Sequence, residues 1–132
     1  MEREIKFKRV FQHEETGVII TTEWGRINVN NISVYDFSSF KSPSTMSRYY
    51  PIADVQFTGF CDKNNEEIYE GDIVKFIDRV TIPNKPEECI TEVFWWDVMA
   101  CFALKNTHTE FNFTIVDEME VIGNIYENPE LL

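Results

Sequence analysis

The stretch Gln56–Phe76, QFTGFCDKNNEEIYEGDIVKF, constrains the fold more than any other. It holds two sharp turns between segments of strand composition. Asp62–Glu67 (DKNNEE) is a polar hairpin tip, in which Asn64 and Asn65 can both take the left-handed backbone that a type I′ turn needs. Glu70-Gly71-Asp72 is a second turn, and Ile73–Ile77 follows as a strand. Reversals this close together admit only short, antiparallel neighbours. The expected partner is the far end of the chain, Glu120–Leu132 (EVIGNIYENPELL). There Val121–Tyr126 reads as a short strand, with Gly123 where another backbone comes close. Asn128-Pro129 opens a single helical turn, and Leu131 and Leu132 are expected to dock.

The rest of the chain repeats the pattern of short strands and turns. Residues 3–11 alternate, with Ile5, Phe7 and Phe11 on one side and Arg9 interrupting that side. His13–Gly17 is a turn with positive φ expected at Gly17, and Val18–Thr22 returns as a β-branched strand. Trp24–Phe37 fits two strand pieces broken at Asn30-Asn31. Ser38–Ser47 is a polar surface loop holding Pro43, and Ala53–Thr58 is a strand. Pro83 and Pro86 make Asp78–Glu88 a loop. Ile90–Trp96 is a strand, Met99–Leu104 a buried strand, Asn106–Thr109 a turn and Glu110–Val116 a further strand. The whole predicts a mainly β fold: a small, strongly bent antiparallel sheet or SH3-like barrel, with an irregular N-terminal extension and a short C-terminal helical turn. Barrel closure would hide sheet edges. A single domain is expected over 1–132, with N-terminal strands and a polar loop in 1–50 and a barrel-like core in 51–132.

Charge narrows the function. The net charge is −11, from 23 acidic and 12 basic residues. A conventional nucleic-acid binder needs the opposite sign to displace counterions from phosphates, and anionic membrane surfaces are disfavoured for the same reason. After Lys105 there are six acids and no base, whereas four of the twelve basic residues lie in the first nine positions. That asymmetry favours an N-terminal strand near the C-terminal one, within a protomer or between protomers. The N-terminus has no apolar core of a signal peptide, and no apolar run reaches the ~20 residues of a membrane span. The expected location is the cytoplasm of a bacterial host.

A search for chemistry returns little. The three cysteines, Cys61, Cys89 and Cys101, are not a disulfide framework, and buried, inert thiols are expected. With His13 and His108 they offer no metal-ligand spacing. Asp62-x-Asn64-x-Glu66 opens like a calcium loop, but Glu67 and Ile73 stand where that loop needs Gly and Glu. A solvated hairpin tip is the simpler reading. Glu70 and Asp72 read as turn formers, since no third group orients them. There is no phosphate loop, dinucleotide fingerprint or serine elbow. No catalytic residue, metal site or cofactor is assigned, and no enzymatic activity is expected. The unusual feature is Phe94-Trp95-Trp96. In a strand Phe94 and Trp96 face one side and Trp95 the other, and Trp is enriched at interfaces. These three residues are the candidate interface.

The two end blocks carry a resemblance. Gln56, Thr58, Gly59, Asp62, Lys63, Asn64, Glu67 through Val74, and Val121 through Leu132 match a pattern in which the chain resembles the YopX protein family of bacteriophages and prophages of Gram-positive bacteria. The opening Arg3-Glu4-Ile5-Lys6-Phe7 is similar to that family's first strand. Asn65 stands where the family often has Gly, so the turn needs Asn at positive φ. Phe60-Cys61 replaces a Leu and a polar residue. The resemblance implies a mainly β, SH3-like core and assembly into homo-oligomers, and it implies no established activity and no catalytic residues. Under it, Thr58-Gly59 and Glu70-Gly71-Asp72 shape turns, while Ile68, Ile73, Val74, Ile122 and Ile125 supply core. The expectation is a homo-oligomeric phage or prophage accessory protein that binds a host or phage protein without contacting nucleic acid. The alternative is an acidic regulator that mimics DNA toward a basic surface.

Overall fold

The computed structural model describes residues 4–27, 35–36, 48–79, 84–105, 110–112 and 117–132. Its strands are β1 (Ile5–His13), β2 (Ile19–Ile27), β3 (Tyr35–Asp36), β4 (Tyr49–Cys61), β5 (Glu67–Tyr69), β6 (Asp72–Asp78), β7 (Glu87–Trp96), β8 (Cys101–Lys105), β9 (Glu110–Asn112) and β10 (Asp117–Asn124). Among the described residues two 3₁₀ turns, Asp97–Met99 and Pro129–Leu131, complete the elements. The chain is mainly β, as its alternation and turn spacing predict. The strands form two five-stranded sheets, ordered β3-β2-β1-β4-β5 and β10-β6-β7-β8-β9. The chain divides into two compact units, Met1–Gly59 and Phe60–Leu132. The break at Asn30-Asn31, the loop Ser38–Ser47 and the turn Asn106–Thr109 lie outside the described residues, as do 80–83 and 113–116.

In the first unit, β1 pairs antiparallel with β2 on one side and β4 on the other. Gly17 has φ +72 and donates its N–H to the His13 carbonyl at 3.0 Å. His13 Nδ1 accepts from the amides of Glu15 and Thr16 at 3.2 and 3.1 Å, so this histidine is a turn cap. Both partner strands run longer than the sequence suggests. β2 continues past Thr22 to Ile27, and β4 starts at Tyr49 with Pro51 inside it. Each is accommodated by a register slip, between Phe7 and Lys8 against β2 and between Val10 and Phe11 against β4. A slip of this kind bends and twists a sheet and tolerates a proline. It also breaks the expected alternation: Val10 and Phe11 are both buried, with Val55 and Phe57, while Ile5 and Phe7 are half-buried. Arg9, the interruption, lies opposite Asp54 and forms a two-point pair with it, Nε–Oδ1 at 2.6 Å and Nη2–Oδ2 at 3.0 Å.

The second unit is built on the two blocks that the sequence singles out. β10 pairs antiparallel with β6, Val121 opposite Val74 and Asn124 opposite Asp72. β7 flanks β6 on its other side, and β8 and β9 follow. The core is Ile68, Val74, Phe76, Val93 and Leu104, with Cys89, Phe102, Met119 and Val121 packed against it. Ile68 of β5, from the other sheet, thus packs on the same cluster as side chains of β6, β7, β8 and β10. Ile68, Ile73 and Val74 are fully buried, but Ile122 and Ile125 are half-buried. Burying Phe76, Ile68, Ile73 and Leu104 stabilises the unit by about 2 kcal/mol each.

Several expectations are corrected. Gly59 is not in a turn: it sits inside β4 with φ +89, as a local kink. Met99 is not in a buried strand; it ends the exposed 3₁₀ turn, and only Ala103 and Leu104 of that run are fully buried. Leu131 and Leu132 are exposed rather than docked.

Candidate functional site

Three turns of the second unit carry the residues singled out by sequence, and they divide by chemistry. At the first, between β4 and β5, only Asn65 has positive φ, +63. Its amide donates to the Asp62 carbonyl at 3.0 Å, and the Asp62 amide to the Glu66 carbonyl at 2.8 Å. This is a three-residue loop with one left-handed residue, not the type I′ turn with two. Asp62 is not solvated either. It is 8% exposed, and its Oδ1 accepts from the amides of Asn64 and Glu66 at 2.8 and 2.9 Å. Its Oδ2 accepts from the Val121 amide of β10 at 2.9 Å. Beside it the Lys63 amide donates to the Met119 carbonyl at 2.9 Å. Burial alone would push the Asp62 carboxyl up. The Val121, Glu66 and Asn64 amides, with the Lys63 charge, override that and hold it below the ordinary aspartate value. The carboxylate is thus consumed in tying the hairpin tip to β10. Lys63 and Lys75 both reach Glu120, at 3.5 and 3.7 Å, around the same junction.

The second turn, Glu70-Gly71-Asp72, meets the C-terminal block. Asp72 Oδ2 accepts from the Tyr69 amide at 2.8 Å. Gly71, at φ +86, donates to the Val93 carbonyl and accepts from the Ile125 amide, both at 2.9 Å. A Cβ there would lie 3.2 Å from the Tyr126 ring. The end block folds on itself: Asn124 Oδ1 accepts from the Tyr126 and Glu127 amides at 3.0 and 2.8 Å, and Asn128 Oδ1 from the Asn124 amide at 3.3 Å. The close neighbour of Gly123 is therefore the Asn128 side chain, 2.6 Å from where a Cβ would stand, not another backbone. Asn128 faces back into this knot and makes no side-chain cap on the helical turn that follows. Burial, then the carboxylates of Glu70 and Glu92, push the Tyr126 phenol up, so it stays protonated. Asp72, Gly71, Asn124 and Asn128 hold backbone here.

The third turn, between β7 and β8, is apolar. Trp95 lies opposite Phe102, the rings edge to face at 5.0 Å. Phe102 in turn packs on the core cluster. Trp95 is 45% exposed, Val98 83% and Met99 60%. Phe94 and Trp96 are half-buried on the opposite face of β7, and Lys105 Nζ stands 5.0 Å above the Phe94 ring. Of the three candidate interface residues, then, Trp95 is the exposed one. Sequence reasoning missed Met99, because the run Met99–Leu104 reads as one buried strand, and it left Val98 unassigned between two strands. The signal that marks them is Asp97, whose charge breaks the apolar run where the chain must turn.

The cysteines form no site. All three are free. Burial, then the Asp78 and Glu87 carboxylates, push the Cys89 thiol up and keep it a poor nucleophile. Cys61 is exposed, against the expectation of a buried thiol. Among the described residues no group of three or more His, Cys, Asp or Glu is placed to hold a metal ion. No helix among them is long and apolar enough to cross a membrane.

These features define a class: a mainly β, antiparallel protein whose polar turns are engaged in its own backbone and whose β7–β8 hairpin presents apolar side chains outward. Within that class the chain belongs to the family described as YopX protein, which matches residues 6–132. No curated protein matches it. A crystallised protein, EF1440 from Enterococcus faecalis, is similar over 97% of both chains at 23% identity, with a TM-score of 0.49.

Proposed function

We propose that this chain is a phage- or prophage-encoded accessory protein that works by contact: a homo-oligomer, in the cytoplasm of a bacterial host, that binds a host or phage protein. The observation that carries this reading is the exposed tip of the β7–β8 hairpin, with Trp95, Val98 and Met99 open to solvent. Exposed apolar groups clustered in this way mark interaction sites. The phage setting and the oligomer are what the resemblance to this family implies. The test is the mass of the full chain in solution at micromolar concentration, measured by light scattering. A multiple of the 15.6 kDa chain is expected, and a strictly monomeric mass overturns the oligomer.

The net charge of −11 favours a second reading, an acidic competitor that mimics DNA toward a basic surface. Binding to a host partner that weakens steeply as salt rises supports it. Binding indifferent to ionic strength removes it.

A further inference from the structure

The tip of the β7–β8 hairpin carries a partner chemistry as well as a location. Its turn residues are Asp97, Val98, Met99 and Ala100. Ala100 has φ +49 and ψ +47, and the turn has no side-chain cap and no buried residue. Turn chemistry selects Gly or Asn at such a position, and Asn65 fills it at the other hairpin. A left-handed Ala costs about 1–2 kcal/mol, and Val98 and Met99, 83% and 60% exposed, return little to the fold through burial. Local choices that run against both turn chemistry and burial are expected at functional sites. The knob is firmly based: Trp95 leans on Phe102, and Phe102 on the core.

Charge decides what the knob meets. From Val93 to Leu104 the chain has one acid, Asp97 at the tip itself, and no Lys or Arg, while Glu92 lies further back along β7. The next base, Lys105, is held by Glu92 at 3.2 Å and by the Phe94 ring. A loop that enters an anionic bilayer needs cations at its shoulders, and this segment supplies none. Tip-to-tip pairing of two copies would bring Asp97 against Asp97 between bodies of net charge −11 each. A basic protein surface is instead drawn in at long range, and an apolar pocket within it takes the Trp, Val and Met side chains. We infer that the β7–β8 hairpin tip docks in an apolar pocket rimmed by Lys and Arg on a partner protein. The inference rests on the protein-binding reading above and deepens it.

The test uses the full chain and three synthetic peptides: a Leu/Lys amphipathic helix, a Leu/Glu helix of the same pattern and a Ser/Lys control. Affinities are read by calorimetry, for wild type and for Val98→Ser/Met99→Ser. Wild type is expected to bind the Leu/Lys peptide about tenfold tighter than either control, a difference of about 1.4 kcal/mol. The double variant is expected to lose that margin and to keep its weak affinity for the Ser/Lys peptide. Met99→Ser alone, a milder change, is expected to lose part of it. Equal binding by wild type and variant overturns the inference, and so does equal preference for the Leu/Glu peptide. Tip-dependent binding to anionic lipid vesicles gives the site to a membrane and overturns it too. A solution mass that falls in the double variant shows that a second copy occupies the tip, which overturns the inference while sustaining the oligomer. A monomeric wild type that still discriminates the peptides sustains the inference and removes the oligomer.

Discussion

Two hairpin tips of the second unit invert the usual rule of burial. The Asp62–Glu66 tip is polar in sequence, yet its carboxylate is buried and saturated with backbone amides. The Asp97–Ala100 tip is mostly apolar, yet Val98 and Met99 stand in solvent. Each needs one left-handed residue. The first uses Asn65, which tolerates it, and the second uses Ala100, which does not. The first tip is tuned at every level for folding. The second gives up local stability, and Val98 and Met99 recover little of it through burial.

The largest expected effect comes from breaking the first tip. Asp62→Asn keeps one carbonyl oxygen but turns a donor toward the Val121 amide, leaving a buried N–H unpaired. A loss of about 3 kcal/mol in urea unfolding is expected. The same carboxylate sets an acid limit. Its folded value is depressed, so its contribution is complete above the ordinary aspartate value and is lost as pH falls through the lower folded value. Wild-type stability should therefore drop in that acid window, and the drop should flatten in Asp62→Asn. Gly71→Ala comes next, at about 2 kcal/mol, because an L side chain is strained at φ +86 and its Cβ crowds Tyr126. The tips should then respond oppositely to their left-handed residues. Asn65→Ala should lower stability by about 1 kcal/mol, whereas Ala100→Gly should raise it by about 0.5 kcal/mol. Thermal melts of the two variants check this contrast.

The sequence made the pairing of distant blocks legible because each block is a strand bounded by turn residues with a mechanism. Gly71, Gly17 and Asn65 announce their backbone, and Val121 does meet Val74. Strand lengths were less legible. Tyr49–Cys61 runs through Pro51 beside a register slip against β1, and through Gly59 at φ +89, and neither leaves a periodic signature. The role of Asp62 was hidden for a different reason. Its third donor, Val121, lies 59 residues away, and a hairpin tip looks solvated until the strand that covers it is placed. Trp95 could be singled out from composition alone. Val98 and Met99 could not, since Met99 opens an apolar run that reads as core and Val98 lies between two predicted strands.

The division of labour between the tips is tested most directly by urea unfolding of Val98→Ser/Met99→Ser beside Asp62→Asn. The account predicts that the apolar-tip variant unfolds within about 0.5 kcal/mol of wild type, while Asp62→Asn loses several times that. A comparable loss in both would mean that Val98 and Met99 serve the fold, and the case for a contact surface at that hairpin would go with it.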